Sequence, residues 1–127
     1  MKPFFLTWGL VFLAALFDSY ASLVVKIKFN ELGHIDFSSS RNFFNYVLKF
    51  VKSPLLLSAL ITFVSAPALW FLALNRLDLS VGYPVLVAFH LIFILLFGVF
   101  FLNEGITTNK AIGTLLIFVS LYLFYKK

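Results

Sequence analysis

Residues 4–28, FFLTWGLVFLAALFDSYASLVVKIK, form an apolar run long enough to cross a bilayer, with a single carboxylate, Asp18, near its middle. A charged side chain at the bilayer centre costs roughly 2.5–3.5 kcal/mol on insertion scales, so such groups face a bundle interior or a watery cavity and mark a pathway. Helical spacing lines up Ala14, Asp18, Ser22 and Lys26 in one narrow strip, which Thr7 and Val11 continue toward the N-terminus. The opposite face is Leu, Phe and Val. This first helix therefore has one wall for lipid and one for something polar.

The rest of the chain agrees with that reading. Hydrophobic residues make up 62% of the 127 and charged residues only 12%, against an apolar share of roughly 45–50% in soluble domains. The composition predicts an all-α integral membrane protein. The formal charge is +5, but the basic residues sit at the ends of apolar runs, as headgroup anchors do, and form no patch with interleaved polar readers. Nucleic acid is not an expected partner. The absence of cysteine excludes disulfides and thiolate chemistry. His34 and His90 are too few to build a metal centre, and no cofactor motif is present. No nucleophile with its base, no paired carboxylates and no phosphate-cradling glycine loop suggest an enzyme. Lys2 before an apolar run resembles a signal sequence, but the run is too long and lacks a small-residue cleavage site, which predicts a retained first span.

The expected architecture is a single domain, residues 1–127, with spans near 4–26, 54–74, 81–102 and 111–125. Residues 29–40, FNELGHIDFSSS, read as a loop. Residues 41–52, RNFFNYVLKFVK, are too short to span; Phe43, Phe44, Val47, Leu48 and Val51 share one face, with Asn42, Asn45, Lys49 and Lys52 largely on the other. A basic amphipathic segment of this kind lies along the membrane interface, with Ser38–Ser40 as N-cap candidates, or else extends the next helix. In the second span Ser58, Thr62 and Ser65 form a hydroxyl stripe, which either bonds back to its own carbonyls or lines a cavity with Asp18. Pro67 should kink that helix, and Trp70 near its end reads as an interfacial indole. The short link 75–80 makes the second and third spans antiparallel neighbours. In the third span Tyr83, Val87, His90 and Leu91 share a face, so phenol and imidazole can look into the bundle; His90 is either satisfied by a neighbouring polar group or acts as a proton relay. Gly98 allows a close crossing. Gly113 and Ser120, two turns apart in the fourth span, make a small-residue seam suited to packing another helix, and Tyr122, Tyr125, Lys126 and Lys127 read as an interfacial anchor. The end of the bundle carrying both termini has Lys2, Arg76, Lys126 and Lys127; the other has Lys26, Lys28, Arg41, Lys49, Lys52 and Lys110. That difference leans toward the first loop in the cytoplasm and leaves room for dual topology.

The order of these features resembles the small four-helix members of the drug/metabolite transporter superfamily, the small multidrug resistance proteins and the EamA-like short transporters. The resemblance rests on Asp18 with Lys26 eight positions on, residues 69–86 (LWFLALNRLDLSVGYPVL), Phe101-Leu102-Asn103-Glu104, and the Gly113–Ser120 stretch. It implies a multi-pass protein of the bacterial inner membrane, acting as a dimer whose first three helices enclose a chamber and whose fourth supplies much of the contact. The dimer would be a homodimer, antiparallel in many members, or a heterodimer with a related subunit. In the drug-exporting branch the first-helix carboxylate is Glu and a Trp follows the third-helix Tyr by three residues, where this chain has Leu86. The GYPVL sequence, the long first loop and the amphipathic segment look closer to the aminoarabinose-phosphoundecaprenol flippase subunits, which generally lack a carboxylate at the place of Asp18.

Three functions follow as expectations. The first is a flippase for a polyprenyl-phosphate-linked sugar or similar amphiphile, its head passing Asp18, Ser22, Ser58, Thr62, Tyr83 and His90 while Lys26, Lys49 and Lys52 meet the phosphate at the entrance. The second is a proton-coupled exporter of cationic drugs or polyamines, in which Asp18 holds a proton or a cation but not both. The third is an accessory membrane subunit without transport of its own.

Overall fold

The computed structural model describes residues 2–35 and 37–126, all-helical apart from short connections; Lys127 of the expected C-terminal anchor lies outside them. The helices are α1 (Lys2–Leu32), α2 (Ser40–Val51), α3 (Pro54–Leu74), α4 (Leu79–Leu102) and α5 (Thr108–Tyr125). Four of them, α1, α3, α4 and α5, are long and apolar enough to cross a membrane, and α2 is the short amphipathic one. This is an all-α integral membrane protein.

α1 is the centre of the bundle. It carries most of the buried side chains, among them Thr7, Val11, Ala14, Ala15, Ser19, Ala21, Leu23 and Val24, and packs against both α3 and α4. α3 presents small residues toward it: Ala59, Ala66 and Ala73 are its buried residues, each seven from the next. The buried residues of α4 are Gly82, Ala88 and Gly98. Lipid tails are as apolar as leucine, so helices in a membrane associate by close packing, and a heptad of alanines brings α3 near enough for it. Phe12 joins α1 to α4, edge-on to Phe89 at 5.4 Å and to Phe93 at 5.1 Å.

The C-terminal end of α1 differs most from the expectation, for a local reason. α1 continues through residues placed in the first loop and stops at Leu32. Lys28 and Glu31 pair one turn apart along it, and the first residue able to reverse the chain is Gly33, at φ 79° with its N–H on the Phe29 carbonyl at 3.0 Å. At about 1.5 Å per residue, 31 residues reach about 46 Å, well beyond a hydrocarbon core of roughly 30 Å. The last turns of α1 therefore stand out of the membrane. α2 is tied to that projection: Tyr46 donates to the Gly33 carbonyl at 2.9 Å and Phe50 stacks on Phe29 at 5.5 Å. Ser39 occupies its N-cap position without a side-chain hydrogen bond, and Ser53 with Pro54 at the first turn of α3 separates the two helices.

α4 ends at Asn103, which takes the left-handed conformation at φ 53°, and the Glu104 N–H closes onto the Gly98 carbonyl at 2.9 Å. Gly98 thereby serves its own helix end: a Cβ there would stand 3.0 Å from the Glu104 carboxylate. α5 packs on α4 and buries none of its residues.

Candidate functional site

The strip on α1 that carries Asp18 meets α3 and α4 at a cavity of about 380 Å³. α1 supplies Ala14, Ala15 and Asp18; α3 supplies Ala66, Pro67 and Trp70; α4 supplies Tyr83, Leu86, Val87 and His90. Each set is one helix face, spaced i, i+1 and i+4 on α1 and α3 and i, i+3, i+4 and i+7 on α4. The alanines make the space, because their methyl groups stop short of the gap between the helix axes. Pro67 lacks an N–H, so the Phe63 carbonyl one turn earlier loses its usual intrahelical partner.

One ionisable pair dominates the cavity. The His90 Nδ1 lies 3.1 Å from the Asp18 Oδ2, with the imidazole 33% and the carboxylate 42% exposed. Both groups can be reached from the cavity while bonded to each other. His90 is the twelfth residue of the 24 in α4, so the pair stands at mid-span. Ser19, fully buried beside Asp18, donates to the His90 backbone carbonyl at 3.5 Å and ties α1 to α4 at this level. Two turns along α4 from His90, the Tyr83 ring meets the Trp70 indole edge to face, centroids 6.2 Å apart. The indole rests over Gly82, where a Cβ would stand 3.3 Å from its Cη2.

The sequence-derived site divides among several places. Asp18, Tyr83 and His90 come together. Ser22, Ser58 and Thr62 do not join them. Ser22 donates to the Asp18 backbone carbonyl at 3.0 Å and lines a second cavity of about 420 Å³, otherwise walled by apolar residues of α1, α3 and the end of α2. Thr62 donates to the Ala59 carbonyl at 2.9 Å and Ser65 to the Ile61 carbonyl at 2.7 Å. Ser58 bonds the Leu55 carbonyl at 2.6 Å and the Tyr20 hydroxyl at 2.9 Å. The hydroxyl stripe thus serves its own helix and one contact with α1. Lys26 lies at the projecting end of α1 beside His34 and Phe37, while Lys49 and Lys52 are exposed on and just after α2. Gly113 borders a groove between α4 and α5, and Ser120 is exposed.

The residue that sequence reasoning missed is Trp70, taken for an interfacial anchor. The available signal was its i+4 relation to Ala66, a member of the alanine heptad that faces α1. Trp70 provides from α3 an aromatic wall that Leu86 does not provide from α4.

Four membrane-crossing helices, three of which line a mid-span cavity holding Asp18 and His90, define a multi-pass membrane protein. The profile of the EamA-like transporter family matches residues 1–126, and the chain belongs to that family, whose members are transporters rather than enzymes. No curated protein and no solved structure matches the chain.

Proposed function

We propose that this transporter exchanges a small organic cation for a proton at Asp18, by alternating access in a dimer in the bacterial inner membrane. The observation that carries the reading is one mid-span cavity holding a carboxylate and two aromatic rings, Trp70 and Tyr83, with no lysine or arginine among its lining. A carboxylate supplies the counter-charge, and ring faces attract a cation by about 0.5–2 kcal/mol, more as water is excluded. Because a proton and a cation compete for one carboxylate, each sends the other away, and opening to alternate sides converts that competition into exchange.

A second reading, a flippase for a polyprenyl-phosphate-linked sugar, draws support from the apolar cavity beside Phe50 and Val51, which suits an acyl chain and neighbours Lys49 and Lys52. A phosphate moving on to the Asp18 cavity would meet a like charge, which favours the cation.

The test is uptake into proteoliposomes of benzyltrimethylammonium, a permanent cation with no proton of its own, under an imposed pH gradient. Gradient-dependent uptake that Asp18→Asn abolishes supports exchange. Uptake indifferent to the gradient, or surviving in Asp18→Asn, refutes it.

A further inference from the structure

We infer that His90 is the proton-carrying partner of Asp18: the empty carrier holds an imidazolium on the carboxylate, and an entering cation takes the imidazolium's place. The inference rests on the exchange proposed above and deepens it by naming the group from which the proton leaves.

The geometry comes first. At 3.1 Å, Nδ1 and Oδ2 are within hydrogen-bond distance, so an imidazolium there would sit directly on the carboxylate. The step balances as imidazolium–carboxylate plus cation giving cation–carboxylate, neutral imidazole and one released proton. Ser19 holds the His90 backbone carbonyl, so the imidazole leaves the carboxylate by rotating its side chain, without a shift of α4. Both groups are open to the cavity, which gives the cation a way in and the imidazole a place to turn.

The chemistry comes second. An isolated aspartic acid in water loses its proton near pH 4 and has none to exchange at neutral pH. Imidazole is the side chain that ordinarily changes charge between about pH 5 and 8. His90 brings that side chain to the carboxylate. Among the groups facing the pair from each packed element, α1 adds only alanines and α3 adds Ala66, Pro67 and Trp70, none of which ionises. α4 adds the Tyr83 phenol, and α5 contributes nothing to the cavity lining. Apart from an arriving substrate, the imidazole is therefore the one cation that the lining offers Asp18.

The experiment counts protons released per benzyltrimethylammonium bound, by calorimetry in buffers of differing ionisation enthalpy, from about pH 5.5 to 8. The purified full chain carries His34→Gln, which leaves His90 as its one histidine. The expected result is close to one proton per probe at the acid end, falling toward zero at the alkaline end, with affinity rising up to tenfold per pH unit where release occurs. His90→Gln should still bind the probe, with release cut at least tenfold and affinity flat across the range. Release from His90→Gln with the unaltered pH profile overturns the inference and leaves exchange at Asp18 standing. A chain with His90 intact that fails to bind the probe, or binds it without release, overturns the proposed exchange and this inference together. Should His90→Gln fail to fold, nitrogen-15 spectra of His90 decide: saturating probe at about pH 6 should convert the imidazolium signature to that of neutral imidazole, and an unchanged signature overturns the inference.

Discussion

Trp70 of α3 and Tyr83 of α4 meet at 6.2 Å with their planes 63° apart, and the two rings line the same cavity as the Asp18–His90 pair. In an edge-on pair the ring that presents its edge keeps both faces uncovered by the other, which leaves a face for a ligand. Replacing Trp70 by Ala is expected to weaken benzyltrimethylammonium binding by about 2- to 30-fold, the range of a cation–π contact from exposed to desolvated. Trp70→Phe should fall between. Leu86→Trp, which puts an indole into the same cavity from α4, should recover part of the loss in Trp70→Ala. Equilibrium binding to the purified chain measures all three.

Tyr20 and Ser58 make the side-chain hydrogen bond between α1 and α3, at 2.9 Å. Such bonds inside a membrane average about 0.6 kcal/mol and reach about 1.7. Ser58→Ala and Tyr20→Phe should each lower stability by that order. The double variant should lose less than the two single losses added, because the second change removes a partner already stranded. Reversible unfolding in mixed micelles supplies the cycle; full additivity would show that the contact contributes nothing.

Much of this arrangement was legible in the sequence, and the part that was not has a physical cause. Four spans and a short amphipathic helix follow from apolar run lengths and the Ser53-Pro54 break, since water and lipid sort side chains without regard to tertiary detail. Asp18, Tyr83 and His90 were legible because a polar group in an apolar run must find a partner, and theirs is one another's cavity. The hydroxyls of Ser22, Ser58 and Thr62 were ambiguous from the start, since a hydroxyl in a helix can always turn to a carbonyl one turn back. Trp70 was hidden by its position near a helix end, where an indole is at home at the interface. Which neighbour a helix end faces depends on the crossing of α3 over α1, which run length does not encode.

Two helix ends depend on left-handed residues of different kinds. Gly33 sits at φ 79° and Asn103 at φ 53°. Gly33→Ala should cost about 1 kcal/mol and fray the projecting end of α1, loosening the Tyr46 contact with it. Asn103→Gly should leave stability unchanged or raise it slightly, whereas Asn103→Val, with a branched Cβ in that region, should cost about 1–2 kcal/mol. Thermal unfolding in detergent gives the order Gly, Asn, Val at position 103; a valine variant as stable as the native chain would show that the turn has another conformation open to it.

The proposed dimer makes a prediction about α5, whose residues are all at least partly exposed although the helix is long and apolar enough to span. Gly113, at the edge of the groove that α5 shares with α4, and the exposed Ser120 lie on one face, while Leu115 and Tyr122 lie nearly opposite. A second copy seated through the Gly113–Ser120 face would bring small residues together and leave Leu115 and Tyr122 to lipid. The native chain has no cysteine, so single cysteines report without background. Ser120→Cys should form an oxidised dimer in native membranes, and Leu115→Cys should not. Gly113→Ile, which fills the seam, should weaken the dimer by about 5- to 150-fold if overpacking there costs about 1–3 kcal/mol. Equal cross-linking at positions 115 and 120 would mean collision without a fixed interface, and the carrier would then have to close its cavity within one copy.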